Sequence, residues 1–314
     1  MSTAASRDMP RGATASTIAQ AKVNLFLRVL SREASGYHQL ETLFCRLELG
    51  DPVTIRTAVR GRSLDCAGES IPPGGLGPVE RNLAWRAAVA FAGAARWPND
   101  WAIEVTKRIP VGGGLGGGSA DAGAVLRCLN ALAPRPLPLP DLLALAATLG
   151  ADVPFLTLDA PLALAWGRGD RMLSLPALPE RSVTLACFPF GIPTPEAFGW
   201  LDDERGMFPP VSKVRRVEEI TSWTGIAAIA HNDFEEVVAA RYTEIARALA
   251  TLRGMGGADP TAFAVLTGSG STVAYLSPSD ADHARARDGR LAGIASRLMT
   301  TRTTDAVVGV EVLG

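Results

Sequence analysis

Apolar positions along the chain change their period several times, and each change marks an element. Ile18 to Leu30 and Pro52 to Val59 are runs of β-branched and aliphatic residues at strand length. Trp101 to Lys107 alternates: Trp101, Ile103 and Val105 face one way, Ala102, Glu104 and Thr106 the other, as in a half-buried strand. From Asn82 to Ala95 the small and apolar residues suit a helix, with Asn82 as its N-cap. A second helix starts near Ser119, where Ala122, Val125, Leu126, Leu129 and Leu132 recur at helical spacing. Pro134, Pro136, Pro138 and Pro140 end it and open a short linker. Asp141 to Leu149 reads as a further helix, capped by Gly150.

Past about residue 165 the character changes. Ser182 to Phe188 predicts a strand. Asp233 to Leu252 predicts one amphipathic helix, with Phe234, Val237, Val238, Ile245, Leu249 and Leu252 on its apolar stripe. Thr261 to Leu276 reads strand, Gly/Ser turn, strand, and Asp280 to Met299 reads helix. Residues 1–17, small and polar without an apolar period, predict a loose tail. The expectation is an α+β chain of two domains, residues 18–165 and 166–314, joined near residues 160–180.

Composition narrows the class. With 47% hydrophobic and 20% charged residues over 314 positions, the chain describes a soluble globular protein with a sizeable core. The most apolar window, Leu142 to Leu158, contains Gly150, Asp152 and Pro154, so no membrane span is expected. The N-terminus has no charged region followed by an apolar run, so no secretory signal is expected either. Cys45, Cys66, Cys128 and Cys187 are scattered and histidines number three, which predicts neither disulfide scaffold nor zinc site, but a reducing cytoplasm. A net charge of −1 supplies no global basic field, so nucleic acid is not an expected partner. The cations are unevenly chosen. There are 28 arginines and three lysines: Lys22, Lys107 and Lys213.

The segment Pro110, Val111, Gly112, Gly113, Gly114, Leu115, Gly116, Gly117, Gly118, Ser119, Ala120 carries six glycines in seven positions. Glycine at that density serves positive φ or close backbone approach to a ligand. Before a helix, free N–H groups and the positive helix end form a phosphate cradle. Ser119 adds a hydroxyl suited to a phosphate or a metal bound to it. A P-loop would need Gly-Lys-Ser/Thr at its end, and Gly118 is followed by Ser119 and Ala120. Gly112, Gly114 and Gly117 satisfy dinucleotide spacing, but a proline-rich linker stands where the acidic residue should follow, so dinucleotide binding is not expected.

This loop resembles the signature of the GHMP kinase superfamily (galacto-, homoserine, mevalonate and phosphomevalonate kinases). Ala21 to Leu27, Gly36 to Phe44, Gly150 to Phe155 and Leu266 to Ser271 resemble further motifs, in the same order, of its branch acting in non-mevalonate isoprenoid synthesis. One departure is Ser119-Ala120-Asp121-Ala122-Gly123, where the family more often has Ser-Ser-Asp-Ala-Ala. The resemblance implies an N-terminal ribosomal-protein-S5-domain-2-like domain, a C-terminal ferredoxin-like domain, and an active site in the cleft between them. It implies ATP as co-substrate with Mg²⁺ held mostly by the nucleotide, and a small-molecule acceptor carrying cytidine diphosphate. No protein cluster of metal ligands, no membrane contact and a monomer or weak homodimer complete the expectation.

Phosphoryl transfer needs a group to orient or deprotonate the attacking hydroxyl. Asp152, in an apolar context beside glycine and proline, suits that role or a helix cap about equally; an ammonium nearby would keep it ionised. The resemblance assigns Asp152 as base and Lys22 as its partner. Lys22 would be an ordinary surface cation in many chains, but this one writes Arg almost everywhere else. Asn24, two residues along the same strand, faces the same side and is a candidate for the substrate hydroxyl. Tyr37 and His38 offer a ring and an edge partner for a pyrimidine, and Phe198, with Thr194 in the same segment, a second ring. Plain core packing explains such aromatics as readily. Gly268, Ser269 and Gly270 form a second glycine turn, either an anion nest or a tight hairpin. Asn82 resembles a nucleotide-contacting position and is also explained by helix capping. Asn232 to Glu235 reads first as a helix N-cap, Lys107 as charge balance at a strand end, and Lys213 as part of a solvated basic stretch. The alternatives are a sister kinase on another small alcohol, or a nucleotide-binding module without catalysis.

Overall fold

The structure is a computed structural model that describes residues 12–206, 216–256, 259–287, 291 and 293–313. Lys213 lies outside them. Two long strands open the chain, β1 (Thr14–Arg32) and β2 (His38–Thr57), paired antiparallel across a short turn at Gly36. β3 (Arg62–Ala67), α1 (Leu83–Ala95) and β4 (Trp101–Thr106) follow, then α2 (Gly117–Leu132), α3 (Leu139–Ala147) and the short α4 (Val153–Thr157). β5 (Leu162–Gly167) and β6 (Arg171–Leu175) make a hairpin. Next come β7 (Ser182–Cys187), α5 (Thr194–Arg205), α6 (Trp223–Ile229), β8 (His231–Asn232), α7 (Glu235–Ala239) and α8 (Thr243–Arg253). β9 (Phe263–Leu266), β10 (Val273–Ser277), α9 (Asp280–Arg285), β11 (Arg297–Arg302) and β12 (Glu311–Leu313) complete the order.

An eight-stranded sheet runs β12-β1-β2-β4-β3, with β5 and β6 continuing from the first half of β2 and β8 lying parallel to β1. β2 pairs with β5 over Leu40–Cys45 and with β4 over Val53–Thr57, so one strand serves two neighbours. The β1–β2 register shifts between Gln20 and Lys22 and again between Asn24 and Phe26. Bulges of this kind turn side chains to new directions. A four-stranded sheet runs β11-β7-β10-β9, antiparallel throughout.

The smaller sheet is apolar on both faces. Along β9, Phe263 and Val265 join the core of the large sheet, while Ala264 and Leu266 join a second core with α5, α7 and α8. Along β10, Ala274 and Leu276 go to the first core and Val273 and Tyr275 to the second. This period-2 division makes the small sheet the wall between the two cores.

Several sequence expectations change. The tail expected through residue 17 is strand from Thr14: Thr14, Ala15 and Ser16 pair with β2 and with β12, and Thr17 with Val53, which satisfies backbone groups a free tail would leave to water. The two sheets do not divide the chain at 165. β6 remains with the large sheet through its hairpin with β5, and β8 and β12 return to β1. The helix expected over Asp233–Leu252 is two, because Arg241 and Tyr242 N–H both turn back to the Val238 carbonyl and α8 begins afresh at Thr243. The apolar stripe itself is buried. The helix expected over Asp280–Met299 stops at Arg285, and Arg297–Arg302 instead pairs with the edge of β7, which suits its β-branched Thr300 and Thr301. α3 ends on Thr148 rather than on Gly150. Among the described residues, no helix is long and apolar enough to cross a membrane.

Candidate active site

The glycine loop links the end of β4 to α2, as its pattern predicts. Gly112, Gly114 and Gly116 have φ of +78°, +80° and +74°, where L side chains are strained. Gly114 is required twice over: a Cβ there would lie 2.0 Å from the Thr267 carbonyl oxygen. The two glycine turns thus touch backbone to backbone, and Thr272 N–H donates to the Gly113 carbonyl at 3.1 Å. α2 is capped by Gly116, which offers no side-chain acceptor to the first helical N–H groups. Gly117, Gly118 and Ser119 therefore open the helix with a positive dipole end and no internal cap. Ala120 is buried in the helix and Leu115 in the core; Pro110 and Val111 lead in from the exposed side.

Lys22 lies in β1 with its side chain 2% exposed. Its ammonium donates to Asn24 Oδ1 at 2.7 Å and to the Gly114 carbonyl at 3.0 Å, and stands 3.3 Å from Asp152 Oδ2. Asp152 heads α4, yet its carboxylate makes no capping bond there; it is 31% exposed and turned to Lys22. Asn24 Oδ1 also accepts Gly268 N–H at 2.9 Å, and its Nδ2 donates to Thr42 Oγ1 at 2.8 Å. Lys22, Asn24, Gly114, Asp152 and Gly268 are therefore one constellation.

Three buried polar residues hold this constellation, none of them expected from the sequence to do so. Asn232, fully buried, donates to the Leu266 and Gly268 carbonyls at 2.7 and 2.8 Å and so fixes the second glycine turn, while its Oδ1 accepts Phe234 N–H at 3.0 Å just ahead of α7. Thr267 Oγ1 bridges Asn24 and Gly114. Arg46 gathers the carbonyls of Phe155, Leu158 and Ala160, anchoring the far end of α4; burial lowers its pKa to about 9, still protonated at neutral pH. Its guanidinium also covers the Phe155 ring, which stacks on Phe44. No motif signals Arg46, and the motifs around Asn232 and Thr267 do not reveal their contacts, because each acts on atoms distant in sequence.

The aromatic candidates gather at the other end of Asp152. Tyr37, His38 and Phe198 line a pocket of about 570 Å³ together with Gly150, Ala151 and Arg168. His38 stacks on Phe198 with centroids 4.3 Å apart, and its Nε2 is 2.8 Å from Asp202 Oδ1. Tyr37 is 60% exposed, with the Arg168 guanidinium over its ring. Phe198 thus already has one face covered, by His38 rather than by Tyr37. Thr194 Oγ1 contacts Ser269 Oγ at 3.1 Å, and Gly270 completes the turn. Asn82 caps α1 by accepting Ala84 N–H at 2.9 Å, and its Nδ2 points to Cys66. Among the described residues, no group of three His, Cys, Asp or Glu is placed to hold a metal.

A family model described as the GHMP kinases N terminal domain matches residues 82–159. A 4-diphosphocytidyl-2-C-methyl-D-erythritol kinase from Mycolicibacterium gilvum is 38% identical over 269 residues, covering 82% of this chain and 80% of that protein. This chain belongs to that kinase family. The homologous kinase of Ruegeria pomeroyi is 38% identical over 273 residues, covering 85% and 90% of the two chains. A crystal structure of a 4-(cytidine 5'-diphospho)-2C-methyl-D-erythritol kinase superposes with a TM-score of 0.73 at 32% identity, over 92% of this chain and 98% of that one. A homoserine kinase from Cytophaga hutchinsonii, at 15% identity and a TM-score of 0.65, shares the GHMP kinase fold with this kinase.

Proposed function

We propose that this kinase transfers the γ-phosphate of ATP to the 2-hydroxyl of 4-diphosphocytidyl-2-C-methyl-D-erythritol, giving the 2-phosphate and ADP in non-mevalonate isoprenoid precursor synthesis. The observation that carries the reading is the Lys22–Asp152 pair set against the glycine-loop carbonyl of Gly114, in a chain of this family. On this reading the nucleotide and its acceptor meet between the S5-domain-2-like and ferredoxin-like parts, in solution in the cytoplasm, in a monomer or weak homodimer.

The chemistry follows from charge and direction. The open N-terminus of α2 and the loop Pro110–Ala120 receive the anionic triphosphate through backbone N–H groups, with Asn82 at the nucleoside end. The Lys22 ammonium faces the Asp152 carboxylate, and Asn24 fixes the ammonium. Asp152 accepts the proton of the substrate hydroxyl, whose oxygen forms the new bond to the γ-phosphorus as the bond to the ADP oxygen breaks. Mg²⁺ fits as an ion carried on the phosphates, since one Asp152 oxygen and the half-buried Ser119 hydroxyl are the protein donors beside them. When bound it neutralises phosphate charge. Tyr37, His38 and Phe198 take the cytosine by stacking and an edge hydrogen bond, and Thr194, Gly268, Ser269 and Gly270 close on the acceptor.

A coupled ADP-release assay with purified protein tests this. Turnover with the cytidylated substrate is expected; turnover with homoserine or a mevalonate instead would assign a sister activity, and nucleotide binding without transfer to any alcohol would leave a non-catalytic module.

A further inference from the structure

Both lysines among the described residues are buried, and they stand on either side of the glycine loop. Lys22 touches Gly114; the ammonium of Lys107, 4% exposed, lies 3.6 Å from where a Gly117 side chain would begin. Lys107 is held by two carboxylates. Asp51 Oδ2 accepts its ammonium, while Asp51 Oδ1 accepts Arg108 N–H and Ile109 N–H. Asp121 Oδ2, from the first turns of α2, accepts the same ammonium at 2.6 Å, and Asp121 Oδ1 has no partner. Asp51 and Asp121 are 0% and 5% exposed at the side chain.

One ammonium thus ties three elements: the end of β4 that enters the loop, the helix that leaves it, and β2 beneath both. Nothing in this cluster faces the reacting atoms. Its geometry fixes the distance between the two ends of the loop, and therefore where the α2 N–H groups point. A guanidinium is larger and planar, and would not fit between two carboxylates this close to Gly117. That explains a lysine here in a chain that otherwise favours arginine.

Resting on the kinase reading above, we propose that Lys107 is a positioning residue for the nucleotide, setting the loop through Asp51 and Asp121. Steady-state kinetics of Lys107→Arg and of the double variant Lys107→Met/Asp121→Met test it, alongside ADP affinity by calorimetry. The double variant removes the ammonium and one carboxylate and leaves the buried Asp51 carboxylate on its two backbone donors, a change that costs stability, so Lys107→Arg, which keeps every charge, is the second readout. The Asp51 bonds to Arg108 and Ile109 stay in place. In the double variant KM for ATP and Kd for ADP rise about tenfold, while KM for the alcohol at saturating ATP stays within a factor of about two. A folded double variant with wild-type nucleotide affinity overturns the proposal. If the double variant fails to fold, Lys107→Arg decides: raised KM for ATP and Kd for ADP support the proposal, and wild-type nucleotide affinity overturns it. If the wild-type protein itself binds no adenine nucleotide, the kinase reading fails instead.

Discussion

The Lys22 ammonium lies 3.3 Å from the Asp152 carboxylate, although one residue sits within a strand and the other opens a helix 130 positions later. The contact is imposed from outside the pair. Arg46 holds the carbonyl end of α4, and Gly123 lets α4 approach α2 so closely that a Cβ there would lie 2.6 Å from the Leu156 carbonyl oxygen. This glycine is one of the two departures from the family pattern in the loop's helix, and it is a packing requirement.

Asp152→Ala should lower kcat about 10²- to 10⁴-fold, the usual range for removing a positioned proton acceptor, with ATP affinity nearly unchanged. Rapid-quench measurement of the transfer step with nucleotide titration checks both halves. Near wild-type turnover would remove Asp152 from the mechanism.

Tyr37→Ala and Phe198→Ala should each raise KM for the cytidylated substrate about tenfold or more, because a stacked base is worth about 1–3 kcal/mol. KM for ATP should not move. Phe198→Ala also uncovers His38, so its effect should be the larger. A silent pair of variants would place the cytidine elsewhere.

Asn232→Ala removes the donors to the buried Leu266 and half-buried Gly268 carbonyls and the acceptor of Phe234 N–H. The expected loss is about 1–3 kcal/mol, read as a lower urea midpoint at constant slope. An unchanged midpoint would mean that water replaces the amide.

Burial pushes the Asp121 carboxyl up to about 7; Lys107 pulls it down and Asp51 adds to the rise. The native value is above the unfolded one, so the folded state binds the extra proton. That contribution to stability is complete below about pH 4 and is lost as pH rises to about 7. Asp121→Asn should therefore flatten the fall of Tm between pH 5 and pH 7.5 seen by calorimetry (about the span of this titration). Parallel Tm curves for the two proteins would refute it.

The elements that the sequence announces well are those with local causes. The Asn82 cap, the alternating β4 and the glycine loop before α2 are all set by near neighbours. The elements it conceals depend on distant ones. β11 is a strand because β7 has a free edge, and Asp233–Leu252 breaks because Val238 receives a turn. The site divides the same way. Lys22, Asn24 and Asp152 carry motif signals, whereas Asn232 and Arg46 bind backbone carbonyls that no spacing reveals. Lys107 stands out in the sequence as a rare lysine balancing charge at a strand end; its partners Asp51 and Asp121 need three dimensions.

Two of the three register shifts along β1 fall between Gln20 and Lys22 and between Asn24 and Phe26, enclosing the lysine and the asparagine; the third lies between Val29 and Ser31. Chain length is consequently conserved by geometry there. Deleting one residue anywhere from 20 to 26 would reverse the outward and inward sides of half the strand and send the ammonium into the opposite layer. The hairpin tip around Gly36 is fixed in another way, by Tyr37 and His38, which line the pocket beside Phe198. Natural variation in this protein's length should therefore spare the middle of its longest ribbon.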